Sequence, residues 1–306
     1  MKNSKPNFLI ILSDCTRPDK LSCYGYKRNT TPNIDKLAKE ATVFTNAYTQ
    51  GVWTLPTHAS LFTGLYPSEH GLLSATEKLD VQIDKNIPTL AGQLKEEGYM
   101  TAGISNNPWV GRLTGMDRGF DFFMESDGTI EDHIGIDFEV PSSIGLINKV
   151  QKLSKGFFFK LLIPYLIRRP VFTEFSIDLA KKIISYVEKN DRNFFIFMNL
   201  MDTHQPYYPP RKELKHVCNH RSYPWSSLIA NYKIRQFYQG KNVENISEIL
   251  NDYYDASLHH QDKHVGSLFS YLRSENLVDE TMIFFTADHG KNLGEYDVNE
   301  NINCMK

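Results

Sequence analysis

An uninterrupted apolar run, FLIIL at residues 8–12, leads through Ser13 into Asp14 and shows the pattern on which the architecture rests. Five apolar residues without alternation are typical of a strand that is covered on both faces. Three further runs repeat this sequence of an apolar strand followed by polar side chains. They are Tyr99–Ile104 before Asn106 and Asn107, Phe194–Met198 before Asp202 and His204, and Met282–Thr286 before Asp288 and His289.

Amphipathic helical patterns separate these runs. Pro32 opens one of them, and others cover about 87–97, 177–189 and 246–276. Strands that alternate with helices predict an α/β fold, with a mostly parallel sheet and helices on both of its faces. Since the carboxyl ends of parallel strands meet at one edge, the polar side chains after the four runs are expected to share that edge.

Length and composition indicate a single globular domain over residues 1–306, with an irregular insertion or lid at about 127–170. The net charge of −2 and the lack of a basic stripe argue against binding to nucleic acid. No signal-peptide core or transmembrane run is visible, which favours a cytoplasmic protein. The four cysteines are scattered and suggest neither a disulfide framework nor a zinc site.

A second stretch, WTLPTHASLFTG at residues 53–64, carries the candidate nucleophile Thr54. Pro56 falls in the first turn of the predicted helix, where its missing N–H costs nothing. The free N–H groups and the positive dipole end of such a helix favour an anion beside the hydroxyl. The pattern is equally common in plain helix capping, so its weight depends on residues elsewhere in the chain.

Metal-ligating residue types follow the first and the last apolar runs. Asp14, Asp288 and His289 form a donor set that suits one divalent cation, Mn²⁺, Mg²⁺ or Ca²⁺. The alternative is that Asp14 caps a turn and the other two belong to a simple loop. His204 lies in the proline-rich segment 202–210, whose rigid turn is expected to hold the imidazole at the same edge.

The long helical pattern near the C-terminal end carries five further polar candidates. Asp255 and Asp262, seven residues apart, fall on one helical face and indicate either a solvated face or a buried network. His259, His260 and His264 have metal-ligand spacing, but no carboxylate motif accompanies them. We therefore interpret these histidines as surface residues.

Taken in order, these motifs resemble those of the sulfatase branch of the alkaline-phosphatase superfamily. The matching segments span nearly the whole chain: residues 12–19 with 23–25, 54–60 with 63–67 and 70–71, 117–121, 202–210, 254–256 and 288–290. The resemblance implies an alkaline-phosphatase-like three-layer sandwich. It also implies that the family's small C-terminal subdomain is missing from this sequence.

The resemblance also implies roles for individual residues. Asp14, Asp288 and His289 are expected to bind the cation, and Thr54, at the position of the nucleophile, is also expected to contact it as a ligand. His58 stands where relatives carry an arginine that orients the nucleophile.

Three other roles concern the substrate. His204 and Lys291 are expected near the transferred group or the leaving oxygen. Asn106 and Asn107 lie where many relatives have a substrate-contacting lysine, so both are candidate substrate-binding residues.

Three departures from the family pattern bear on the chemistry. Threonine at position 54 cannot be oxidised to the formylglycine that sulfatases make from cysteine or serine. Cys15 replaces a second aspartate, which weakens the case for Ca²⁺. His58 replaces a permanent cation with a group that titrates.

The expected activity is metal-dependent hydrolysis of a sulfate, phosphate or phosphonate ester of a small molecule or glycan, with Thr54 as the nucleophile. A threonine ester must be displaced by water or by an acceptor, a route that is familiar for phosphoryl groups, so a phosphoryl transferase is one alternative. A non-catalytic relative that binds a cation or an anion is the other. An open sheet edge would permit a homodimer.

Overall fold

A computed structural model of the chain describes residues 5–73, 81–136, 171–218 and 226–296. Within these ranges the strands are β1 Asn7–Ser13, β2 Met100–Ser105, β3 Phe122–Met124, β4 Ile130–Asp132, β5 Phe194–Leu200 and β6 Thr281–Thr286. They form one six-stranded sheet in the order β4-β3-β2-β5-β1-β6. Every neighbouring pair is parallel except β3 with β4.

Helices cover both faces of this sheet, and two further helices pack in a third cluster against the first half of the longest helix. The bounds of the helices are α1 Pro32–Ala38, α2 Thr54–Thr63, α3 Pro67–His70, α4 Leu90–Glu96, α5 Val171–Lys189, α6 Arg211–Cys218, α7 Ser226–Tyr238 and α8 Ile246–Ser274. Leu9 and Ile11 of β1 point into a core formed with α5 and α8, whereas Ile10 and Leu12 point into a core formed with α2 and α4. The predicted α/β sandwich is confirmed.

Short elements account for most of the differences from the sequence prediction. All four apolar runs are strands, but β3 and β4 have only three residues each and show no periodicity on which to predict them. Near the start of the predicted insertion, residues 130–132 form an antiparallel edge strand of the sheet. The remainder of that insertion, 137–170, lies outside the described residues.

Two observations concern membranes and thiols. In the part of the chain that the structure describes, no helix is both long and apolar enough to cross a bilayer. Cys15, Cys23 and Cys218 are free thiols.

Helix α8 is tied to the N-terminal part of the fold by buried aspartates. The carboxylate of Asp262 accepts hydrogen bonds from the backbone N–H groups of Asn33 at 3.0 Å and Ile34 at 2.8 Å. Asp255 accepts one from the Arg28 guanidinium at 2.9 Å. Of the two interpretations of this helical face, the buried network is therefore the correct one.

We expect Asp262→Ala to lower the free energy of unfolding by about 1–3 kcal/mol, since it leaves first-turn N–H groups of α1 buried without an acceptor. Urea denaturation measures the change. Asp279→Ala, at an exposed position, serves as the control and should alter stability by less than about 0.5 kcal/mol. Equal effects of the two substitutions would contradict the capping role of Asp262.

Candidate functional site

The predicted site residues meet at the carboxyl edge of the sheet. The register of the parallel strands aligns Ser13 with Leu200 and Leu12 with Thr286, so the chain leaves β1, β5 and β6 at the same level. The backbone N–H of Asp14 then donates to the carbonyl of Leu200 at 2.9 Å. The loops after these three strands consequently face one another.

Thr54 is the first residue of α2 and is buried. Trp53 before it is extended, and no side chain caps the helix start. Free N–H groups of the first turn therefore accompany the hydroxyl, as the sequence indicates. Thr54 Oγ1 lies 3.5 Å from Nε2 of His289 and 3.4 Å from Nδ2 of Asn107.

His58 lies one turn further along α2 and is fully buried. Its Nδ1 donates to the carbonyl oxygen of Thr54 at 2.9 Å, and its Nε2 accepts from the Asn199 side chain at 3.0 Å. Burial lowers the pKa of His58 to about 4, so the ring is neutral at pH 7. It therefore holds the backbone of Thr54 without supplying the positive charge of an arginine.

Two buried carboxylates stand at the ends of β1 and β6. Asp288 Oδ1 accepts the backbone N–H groups of Cys15 at 3.1 Å and His289 at 2.9 Å, and Asp14 Oδ2 accepts the Asn107 amide at 2.7 Å. The other oxygens, Asp14 Oδ1 and Asp288 Oδ2, are buried without a hydrogen-bond partner. Buried carboxylate oxygens without donors are costly unless a cation accompanies them, so the site fits a bound cation.

The electrostatics of the two carboxylates differ. Burial and the nearby charge of Asp14 raise the pKa of Asp288 well above its ordinary value. Burial acts in the same direction on Asp14, but the protonated forms of His204 and His289, present at the low pH where this carboxyl titrates, outweigh it and lower its pKa. Two such groups held together in a dry site favour a cation between them.

His289 presents one nitrogen to these carboxylates. Its Nδ1 donates to the carbonyl of Gly290 at 2.8 Å, which leaves Nε2 with a free lone pair. Nε2 lies 3.3 Å from Asp288 Oδ2 and 3.9 Å from Asp14 Oδ1. An imidazole fixed through its other nitrogen is the usual arrangement of a metal-ligating histidine.

The two asparagines after β2 have different surroundings. Asn107 is buried and donates to both Asp14 and Thr54, so it belongs to the site. The Asn106 amide instead donates to the hydroxyl of Ser176 in α5, on the opposite face of the sheet from α2. Of the two asparagines, only Asn107 contacts the hydroxyl of Thr54.

His204 and Lys291 surround the cluster at longer range. His204 Nδ1 donates to the carbonyl of Gln205 at 2.6 Å, and the charge of His204 is the strongest electrostatic influence on Asp14. Lys291 is buried, and its ammonium lies 5.3 Å from the centre of the Tyr238 ring. A protonated His204 lowers the pKa of Asp14, and the charge of Lys291 lowers the pKa of His289, so both side chains act on the cluster.

Sequence reasoning missed the part that Arg17 plays in joining the two ligand-bearing loops. Its guanidinium binds the Asp19 carboxylate through two nitrogens, at 2.9 and 2.6 Å. Another nitrogen donates to the Lys291 carbonyl at 3.0 Å and to Glu295 at 2.7 Å. An arginine three residues after a candidate ligand was visible in the sequence, but its remote partners were not.

The interpretation of the α8 histidines as surface residues is wrong for His259, which is 13% exposed and donates to Glu213 at 2.8 Å, and most clearly for His260. This ring is buried, its Nδ1 donates to the Asp202 carboxylate at 3.0 Å, and its Nε2 lies 3.2 Å from Nε2 of His264. Asp202 begins the loop that carries His204. His260 therefore anchors one side of the site through that carboxylate.

Comparison with known proteins gives a consistent assignment. A sequence model of the family described as Sulfatase matches residues 6–303. The chain is 26% identical over 324 residues to iduronate 2-sulfatase of Mus musculus, covering 95% of this chain and 55% of that enzyme. It is 37% identical over 103 residues to N-acetylgalactosamine-6-O-sulfatase of Bacteroides thetaiotaomicron, covering 33% of this chain and 20% of that enzyme.

A solved structure agrees in fold. The crystal structure of the putative sulfatase yidJ from Bacteroides fragilis superposes with a TM-score of 0.68 at 20% identity, covering 98% of this chain and 65% of that one. The alkaline-phosphatase-like fold is thereby confirmed. The chain spans about half the length of the Mus musculus relative.

We expect Asp288→Asn to raise the stability of the cation-free protein by about 1–3 kcal/mol at pH 7, because it removes one of two facing buried charges. The same change should abolish any rise in melting temperature on addition of a divalent cation. Thermal unfolding in chelator and in Mn²⁺, with Asp279→Asn as the exposed control, tests both effects. A variant that loses stability in chelator and still responds to Mn²⁺ would contradict the assignment.

Proposed function

Because this chain belongs to the sulfatase family, we propose that it hydrolyses a sulfate or phosphate ester with the Thr54 hydroxyl as the nucleophile. The observation that carries this proposal is the position of that hydroxyl. It lies at the start of α2, within 3.5 Å of His289 Nε2, beside two buried carboxylate oxygens that have no donor. A hydroxyl nucleophile next to a cation site is one arrangement that can hydrolyse such esters.

Asp14, Asp288 and His289 would hold one divalent cation next to Thr54. When bound, such an ion lowers the pKa of a neighbouring hydroxyl and offsets negative charge on the ester oxygens. Of the three ions expected from the sequence, Mn²⁺ accepts an imidazole ligand more readily than Mg²⁺ or Ca²⁺ does. The partnerless oxygens of the two aspartates support this assignment.

The side chains divide the remaining tasks. The Asn107 amide, which donates to Asp14 and Thr54, orients the attacking oxygen. The first-turn N–H groups of α2 receive the anionic group. We assign His204 to protonation of the leaving oxygen and Lys291 to charge neutralisation, because both influence the cluster electrostatically.

The substrate class rests on two arguments that favour different esters. The names of the relatives point to sugar sulfates, which makes a sulfated glycan the first substrate to test. A threonine ester can only be displaced by water or an acceptor, and that route is familiar for phosphoryl groups. Phosphate esters and phosphoryl transfer to an acceptor therefore belong in the same assay.

The open edge of β6 supports the proposed homodimer. Strand β6 pairs only with β1 in the described sheet, and its Met282 and Phe284 are 49% and 44% exposed. An unpaired strand with exposed apolar side chains is a template for pairing with a second chain.

We expect Thr54→Ala to abolish turnover of aryl sulfate and aryl phosphate esters in the presence of Mn²⁺, and Thr54→Ser to retain a measurable fraction. Removing a nucleophile usually costs several orders of magnitude in rate. Thr63→Ala, which changes a hydroxyl of the same helix that binds the Ala59 carbonyl at 2.6 Å, is the matched control.

Intact mass spectrometry of the wild type after rapid mixing should reveal a sulfo- or phospho-threonine adduct that Thr54→Ala lacks. Turnover that survives Thr54→Ala would rule out the covalent mechanism. If no ester is turned over above the Asp288→Ala background with any cation, the chain is a non-catalytic member of the family.

The neighbouring asparagines provide a second test. Asn107→Ala should reduce kcat by about 10–100-fold, because the hydroxyl of Thr54 and the carboxylate of Asp14 lose a common donor. Asn106→Ala should leave kcat within about threefold, since its amide binds Ser176 instead. Steady-state kinetics with the ester that is turned over fastest measures both values of kcat. A larger loss in Asn106→Ala than in Asn107→Ala would contradict the assigned contacts.

A further inference from the structure

We infer that Cys15 is a fourth ligand of the proposed cation site and that its thiolate makes the site select Zn²⁺-like ions over Ca²⁺ and Mg²⁺. This inference rests on the cation site of the proposed function, but it concerns a residue that the assignment of Asp14, Asp288 and His289 does not use. Carboxylates alone would favour Ca²⁺ or Mg²⁺, so the inferred preference for Zn²⁺-like ions is a different one.

The backbone of Cys15 has an uncommon conformation that surrounding contacts maintain. Its φ of 61° lies in the left-handed region, which residues other than glycine rarely adopt. The N–H of Cys15 donates to Asp288 Oδ1 at 3.1 Å, and its carbonyl accepts the Tyr254 hydroxyl at 2.9 Å. Two distant elements thus fix the turn immediately after β1.

The thiol lies among the other candidate ligands. Ligand atoms of Asp14, Cys15 and His289 all lie within 4.8 Å of one another, and all three residues are buried. Two donors that share one ion at about 2.0–2.3 Å are at most about 4.6 Å apart, so the three donors lie slightly wider than a coordination sphere and would have to draw together a little to enclose an ion. Cys15 Sγ lies 3.8 Å from His289 Nδ1, the nitrogen that donates to Gly290, so the thiol would have to turn towards the Nε2 side of the ring to share the ion.

The partnerless carboxylate oxygens are an independent sign of a missing positive charge. Asp14 and Asp288 are fully buried, and Asp14 Oδ1 and Asp288 Oδ2 have no hydrogen-bond donor. The same ion would satisfy all of these groups.

The chemistry of the donors determines the preferred ion. Two carboxylates, one imidazole and one thiolate make four donors, a number that suits Zn²⁺, and Zn²⁺ can expand to five ligands, which leaves a position for the Thr54 hydroxyl or the ester. Ca²⁺ instead takes six to eight oxygen ligands, and Mg²⁺ prefers oxygen in octahedral geometry. On binding, the Sγ–H bond is replaced by an Sγ–metal bond, and one proton passes to solvent.

Co²⁺ is the probe, because a thiolate bound to Co²⁺ absorbs strongly in the near ultraviolet. We expect the metal-free wild-type chain to develop this charge-transfer band on titration with one equivalent of Co²⁺, and Zn²⁺ to bleach it. Cys15→Ser should lose the band and bind Co²⁺ about 10–100-fold more weakly. Cys23→Ser is the control. Cys23 is a partly buried free thiol that packs against the core formed with α5 and α8, so this variant should keep both the absorption band and the affinity for Co²⁺.

Cys15→Asp supplies a second variant whose side chain tolerates the left-handed backbone. It should lack the band, and competition should show Ca²⁺ and Mg²⁺ gaining at least tenfold relative to Zn²⁺. Circular dichroism confirms that each variant is folded. A Co²⁺ complex without the band, no Co²⁺ binding at all, or a band that persists in Cys15→Ser would each overturn the inference.

The spectra need no substrate, so this test is separate from the test of Thr54. Ester hydrolysis with a Co²⁺ spectrum that lacks the thiolate band would leave the proposed function intact and refute the role of Cys15. A thiolate band without any ester turnover would support the role of Cys15 and refute the proposed hydrolysis.

Discussion

The pairing of β1 between β5 and β6 is the constraint on which the site depends. The three strands are parallel and in register, so the loops after them leave the sheet at one level and close together. Asp14 and Asp288, separated by most of the chain, are brought face to face by this pairing alone. A shift of one residue in register would turn one of these loops towards the opposite face of the sheet.

This placement brings two carboxylates together in a buried environment, and hydrogen-bond donors reach only one oxygen of each. Backbone N–H groups and the Asn107 amide satisfy one oxygen of each carboxylate, and the other oxygens remain without donors. The neutral His58 contributes no charge. Positive potential at Thr54 comes from the start of α2 and from Lys291, and a cation held between the two carboxylates, as we propose, would add to it.

Individual residues show how far the sequence led. Asp14, Thr54, Asp288 and His289 were all identified from residue type and position, because each follows an apolar run or starts a helix. Asn106 and Asn107 could not be distinguished, since adjacent residues after a strand point to opposite sides and the layer that each one faces is a matter of packing. His260 was misread because its carboxylate partner, Asp202, lies 58 residues away in sequence.

The sequence by itself determined the α/β class, the four long strands and the edge of the sheet at which polar chemistry collects. It could do so because burial on two faces and helical amphipathicity are local patterns. Only the tertiary structure decided which polar side chains meet, that His58 is neutral, and that Cys15 joins the candidate ligands. Those outcomes depend on burial and on contacts between distant segments, which no local pattern encodes.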